Sequence, residues 1–220
     1  RSLGSRSTYM RARIGGIDGS PLALGQHLPC LPLSGNPWLE GCGTLEWPAE
    51  DCPLRVILGP QDDHFTPSAL ATFFGQPYVV TRDMDRMGIR FEGEKLAHNE
   101  RGAEVVSDGV APGSIQVPAN GQPIVLLADC QTSGGYPKIA TVIKADLPRL
   151  AHVRPGDVVR FVAVDHRQAA AALRDQASWV ARWCETIGTF CPPGVVDETA
   201  LYEDNLISGA IRGDEAFAVV

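Results

Sequence analysis

Seventeen prolines and 23 glycines cut this 220-residue chain into many short apolar runs. Runs of that length, rich in β-branched residues and bounded by turn formers, suit an all-β barrel or sandwich better than alternating βαβ units. Candidate strands fall at 11–14, 54–58, 78–81, 88–91, 114–118, 124–128, 139–143 and 158–164. Pro155-Gly156-Asp157 is a turn that launches the last of them. Two segments read as helix instead. At 66–74, Thr66 is placed to cap and Pro67 to fill the first helical position. At 167–185, an alanine-rich stretch repeats Leu173, Ala177, Val180 and Cys184 as one apolar stripe, expected to pack on the barrel or on a partner.

The densest collection of chemistry lies in GSIQVPANGQPIVLLADCQTSGGYPKIATVI, residues 113–143. Two apolar runs, 123–128 and 139–143, flank a polar segment holding Asp129, Gln131, Thr132, Ser133, Tyr136 and Lys138. Loops carried on rigid strands are where sites are usually built. The plain alternative is a glycine-rich hairpin with a solvated tip. Lys138 follows Gly134-Gly135-Tyr136-Pro137, whose backbone N–H groups suit an anion-binding concavity beside the ammonium. Gln116 alternates with Ile115 and Val117, so it is expected on the accessible wall of its strand. Asp129 is expected to cap the turn. Arg86 either grips a carboxylate through two parallel hydrogen bonds or pairs structurally with Asp83 or Asp85. Gln61-Asp62-Asp63-His64 holds three possible metal ligands, but adjacent residues converge poorly on one ion and a surface loop is the expectation.

The formal net charge of −7 argues against a nucleic-acid surface. No run approaches the roughly 18 apolar residues of a membrane span. Six cysteines show no CxxC and no zinc-finger spacing, which points to reduced thiols and a cytoplasmic protein. Cys130 is expected to be a small buried hydrophobe. Sequences of the GxxxxGK[ST], HExxH and GxSxG types do not occur.

The wording of 113–143 resembles the signature of the KipA family, whose members are also known as the C subunit of 5-oxoprolinase, allophanate hydrolase subunit 2 and biotin-dependent carboxyltransferase. GSRSTYMRARIGGIDGSPLALGQHL (4–28), LRVILGPQDDHFTPSAL (54–70), MDRMGIRFEGEKL (84–96), KADLPRLAHVRPGDVVRFVAV (144–164) and NLISGAI (205–211) extend the resemblance in the family's order. Family members begin with a further region bearing a TTVQD-like strand, so the chain looks like the C-terminal two-thirds of a longer protein. The implied fold is mainly β: a cyclophilin-like β-barrel with a long C-terminal helix, plus the end of a second similar domain. The expected division is 1–53 as remnant and linker, 54–166 as barrel, and 167–220 as helix and tail.

The resemblance implies the C subunit of an ATP-dependent 5-oxoprolinase, a hydrolase opening a lactam to glutamate beside a KipI-like B subunit and an oxoprolinase A subunit. ATP would be used by the complex, bound mainly outside this chain. Alternatives are a carboxyltransferase component of a biotin-dependent urea carboxylase or allophanate-type system, and a non-catalytic KipI antagonist acting on a histidine kinase. The implied catalytic residues are Lys138, Tyr136 and Gln131. The implied binding residues for a small amide or lactam are Arg86, Gln116, Thr132, Gly134, Gly135 and Arg6. Arg6, Ser7 and Thr8 are expected to line a cleft between the two barrels.

Overall fold

The computed structural model describes residues 2, 4–10, 12–29, 39–41 and 52–190. Two compact units divide the chain, residues 1–39 and 40–220. The first holds a small antiparallel hairpin, Thr8–Tyr9 with Ile14–Gly15. A strand was expected at 11–14; residues 12 and 13 instead form the turn, with Arg13 in the left-handed region at φ 51°. The backbone reverses there rather than extending.

The second unit is built on one eight-stranded sheet. Its strands are β1 (Leu54–Leu58), β2 (Tyr78–Met84), β3 (Gly88–Gly93), β4 (Ser114–Gln116), β5 (Ile124–Leu126), β6 (Lys138–Val142), β7 (Val158–Val159) and β8 (Phe161–Ala163). Their spatial order is β7-β2-β3-β5-β4-β6-β1-β8. Every pairing is antiparallel except β8 with β1. The single run expected at 158–164 is therefore two strands on opposite edges, joined by Arg160 alone. An edge-to-edge passage of one residue is possible only if the sheet curls until its edges nearly meet. The bond from Leu54 N–H to the Arg160 carbonyl, 2.8 Å, sits at that junction. The expected mainly β, nearly closed barrel is what the chain forms.

Inward side chains fill the barrel. Val56, Val80, Ile89, Phe91, Ile115, Val125 and Ile139 are all buried. Helix α1 (Pro67–Gly75) contributes Phe73, which stacks on Phe161 at 4.7 Å between ring centroids. Thr66 caps it by accepting from the Ala69 N–H, with Pro67 at the first position as its sequence implies. A four-residue helix α2 (Leu147–Leu150) follows the buried Asp146. Asp146 takes both the backbone N–H and the guanidinium of Arg55, at 2.6–3.0 Å, and so ties α2 to β1.

Helix α3 (His166–Cys184) starts with a capping box between Asp165 and Gln168. Its packing face differs from the expected stripe. Ala172 is its buried residue, set against Ile143 and Ala145, and Gln176 donates to the Ala145 carbonyl. Leu173, Ala177, Val180 and Cys184 are exposed. Small alanines let the helix approach closely, which larger side chains on the other face would prevent. None of the described helices is long and apolar enough to cross a membrane.

Residues 30–38 and 42–51 of the expected linker, the 205–211 motif, and Cys30, Cys42 and Cys191 lie outside the described residues. Cys52, Cys130 and Cys184 are free thiols, and Cys130 is half-buried rather than enclosed.

Candidate functional site

Strand β6 begins at Lys138, directly opposite Gln116 on β4. The register then slips, so that Ala140 faces Ile115 and Ile139 is the extra residue of a bulge. Bulges break the alternation of a strand and re-aim side chains. Here Ile139 and Ala140 both enter the apolar core, while Lys138 turns toward residues 108 and 109. The expected loop-tip lysine is thus a strand residue, buried to 4% exposure.

Its partners explain how an ammonium is tolerated there. Lys138 Nζ donates to Asp108 Oδ2 at 2.6 Å and to the Gly109 carbonyl at 2.7 Å. Buried charges persist when paired and hydrogen-bonded in this way. Gln61 braces both members: its Nε2 donates to Asp108 Oδ2 at 3.0 Å, and its Oε1 accepts the Lys138 backbone N–H at 3.2 Å. Asp108 Oδ1 takes the Gly109 N–H at 2.7 Å. The Lys138 ammonium, then Gln61 and the Gly109 N–H, hold the Asp108 carboxyl down at about 2. Gly59 makes the bracing possible, because a Cβ there would run into the Lys138 carbonyl.

Asp108 and Gln61 did not emerge from the sequence. Asp108-Gly109 reads as an ordinary turn dipeptide, and the 61–64 run reads as a surface loop. The only signal for Asp108 was a carboxylate shortly before the 113–143 motif.

Residues 131–137 run beside this centre and cover Gln116. Ser133–Gly134 pairs antiparallel with Asp108–Gly109, so Gly134 belongs to a short strand rather than to a free turn. The Gly135 carbonyl accepts from Val105 N–H at 3.0 Å and that of Thr132 from Val110 N–H at 3.1 Å. This cover corrects the expectation for Gln116. It is buried, as are Ile115 and Val117, because the barrel takes one face and the 131–137 segment the other. Its amide donates to the Tyr136 carbonyl at 3.5 Å. Tyr136 is partly exposed, and Gln131 and Thr132 are exposed.

Arg86 holds the other end of the same segment. It makes two bonds to Asp129, Nε to Oδ2 at 2.6 Å and a terminal nitrogen to Oδ1 at 3.0 Å. Its partner is therefore neither Asp83 nor Asp85, and Asp129 is an ion-pair member more than a turn cap. Asp85 instead accepts the Met87 N–H at 2.8 Å. Arg90 lines a separate groove of about 370 Å³ with Thr81, Lys95 and Gln122. Arg6 lies exposed in the first unit.

Two histidines bond to backbone carbonyls. His98 donates from Nε2 to the Val117 carbonyl at 3.0 Å, and burial lowers its pKa, with neighbouring His64 acting the same way. His64 points Nδ1 at the Gly102 carbonyl, 3.0 Å away. Among the described residues no three His, Cys, Asp or Glu side chains gather as metal ligands would.

The flank of the nearly closed β-barrel thus presents a half-exposed carboxylate anchored by a buried lysine. The chain belongs to the family described as carboxyltransferase domain, subdomain A and B, whose model matches residues 1–163. It is 37% identical over 176 residues to the C subunit of 5-oxoprolinase from Escherichia coli, covering 79% of this chain and 55% of that protein. It is 38% identical over 174 residues to the C subunit of 5-oxoprolinase from Haemophilus influenzae, with the same two coverages. The chain thus spans about half the length of these relatives. The crystal structure of the K. lactis urea amidolyase matches with a TM-score of 0.64 at 23% identity, over 86% of this chain and 13% of that one, a likeness of fold.

Proposed function

We propose that this chain is part of the C subunit of an ATP-dependent 5-oxoprolinase, and that the Lys138–Asp108 centre holds the lactam while the ring is opened to glutamate. The supporting observation is that Lys138 of the 113–143 motif is buried and paired with the half-exposed Asp108, in a chain 37–38% identical to two proteins named as the C subunit of 5-oxoprolinase. A lactam is a poor electrophile, and ATP supplies the driving force for opening it. No phosphate-loop sequence is present, so ATP is bound chiefly by another component of the complex. The part left to this chain is to orient the amide and to fix charge beside it. Tyr136, Gln131, Thr132 and the Gly134-Gly135 backbone form the wall, with the buried Lys138 and Gln116 behind it. Arg86 anchors that segment through Asp129. The partners are a KipI-like B subunit and an oxoprolinase A subunit, and the complex is cytoplasmic.

The test is reconstitution. The full-length protein, co-expressed with both partners, should co-purify with them and release glutamate from 5-oxoproline only when ATP is supplied. Undiminished release by the two partners without this protein would remove it from the reaction. A second reading, a carboxyltransferase role in a biotin-dependent system, draws on the description of the matching family. It requires that avidin block turnover of the assembled complex, whereas the 5-oxoprolinase reading requires that avidin have no effect.

A further inference from the structure

We propose that Asp108, and not Lys138, is the group of this centre that meets the substrate, and that it accepts the N–H of a neutral amide. The inference rests on the functional reading above and assigns the contact and the substrate chemistry within it.

Exposure separates the two partners first. The Lys138 side chain is 5% exposed and that of Asp108 50%. An incoming molecule reaches the carboxylate, while the ammonium stands behind it. Counting acceptor sites gives the second step. An ionised carboxylate offers about four lone-pair sites on its two oxygens. Oδ2 is filled by Lys138 Nζ and Gln61 Nε2, and Oδ1 carries the Gly109 N–H. One site on Oδ1 remains, on a side chain open to solvent.

The chemistry of that site follows from its neighbours. With its carboxyl held at about 2, Asp108 is a poor proton acceptor at neutral pH. It still accepts strong charge-assisted hydrogen bonds. Such a group recognises a donor that keeps its proton, which describes an amide or lactam N–H. Position is fixed as well, since Asp108 pairs with Gly134 and Gly109 with Ser133 in a short two-stranded ladder. A carboxylate braced by strand, lysine and glutamine loses little freedom on binding. Lys138 is then a positioning residue that acts through Asp108.

The experiment uses the assembled complex and two ligands, 5-oxoproline and the γ-lactone in which ring oxygen replaces N–H. Direct binding by calorimetry needs no turnover, so it decides the contact even if the complex proves not to hydrolyse 5-oxoproline, an outcome that would count against the functional reading alone. The wild-type complex should prefer lactam over lactone by about 10²-fold or more, because the lactone leaves the carboxylate facing an acceptor. Asp108→Asn keeps an acceptor for Lys138 and gains an N–H donor for the lactone oxygen, so the preference should fall below about tenfold. Lys138→Met should keep a preference, and its kcat/KM should acquire an acidic limb near pH 4 that the wild type lacks, because Asp108 loses the main cause of its lowered pKa. Equal wild-type affinity for the two ligands, binding of neither, or an undiminished preference in Asp108→Asn would each overturn the assignment.

Discussion

The side-chain amide of Gln116 occupies the space that a Cβ on Gly134 would need. This relationship explains why the polar segment lies flat against the barrel, and why a glycine stands opposite Asp108 in the short ladder. Gly134→Ala should push the Gln116 amide away from the Tyr136 carbonyl and lift the segment, at a cost of about 1–2 kcal/mol. The obstacle is the end of a flexible side chain, so Gln116→Ala in the same protein should recover most of the loss. Gly59→Ala meets the backbone of Lys138 instead and has no such escape. Denaturant midpoints of the four proteins check this; full rescue of Gly59→Ala by any side-chain truncation would contradict it.

Lys138 substitutions follow from its burial. Lys138→Ala in the assembled enzyme should cut turnover by about 10²-fold or more, the scale of losing one fixed charge. It should also destabilise the barrel by about 2 kcal/mol or more, since it empties a packed slot. A lysine at a solvated loop tip would show no such loss of stability. Lys138→Arg should recover little activity, because a planar guanidinium overfills a site shaped for an ammonium. Steady-state kinetics paired with unfolding curves separates the two effects, and wild-type stability of the Ala variant would return Lys138 to the surface.

Asp108 sets the acid response. Its folded pKa is lowered to about 2 from an ordinary 3.8, chiefly by the Lys138 hydrogen bond. A lowered carboxyl pKa adds stability that is full above the unfolded value and disappears as pH falls through the folded one. The difference in urea midpoint between wild type and Asp108→Asn should therefore be constant above about pH 5 and shrink between about pH 4 and 2. A constant difference across that window would mean that the pair is not formed in solution.

Much of the barrel could be read from the chain, because its strands are short apolar runs with turn formers between them. The cap at Thr66, the Pro67 start and six of the eight strands are visible locally. What failed was long-range. Nothing in 158–164 says that Val159 and Phe161 sit on opposite edges, since only closure of the sheet puts them there. Nothing around Gln116 says that a segment fifteen or more residues later will cover its outer face, so alternation alone placed it in solvent. Asp108 and Gln61 were hidden for the same reason: each is polar in a polar stretch, and each acquires its role from a lysine brought close by folding. On α3 the local stripe chose the larger side chains, whereas the contact face consists of small ones that permit close approach.

Tyr78 is the one buried side-chain polar group among the described residues that lacks a hydrogen-bond partner. It lies in the aromatic cluster with Phe73 and Phe161. Burial, aided by Glu94, raises its phenol to about 12. An unpaired buried hydroxyl costs free energy that a phenyl ring of the same shape does not, so Tyr78→Phe should stabilise the fold by about 1 kcal/mol. The pH dependence supplies an independent check. A raised folded pKa means the unfolded chain loses its proton first, near 10, so the wild type should lose stability as pH rises from about 10 to 12. The Phe variant lacks that loss, and its advantage should widen across the same interval. Destabilisation by Tyr78→Phe at neutral pH would instead mean that the hydroxyl has a partner in solution, such as a water enclosed in the barrel.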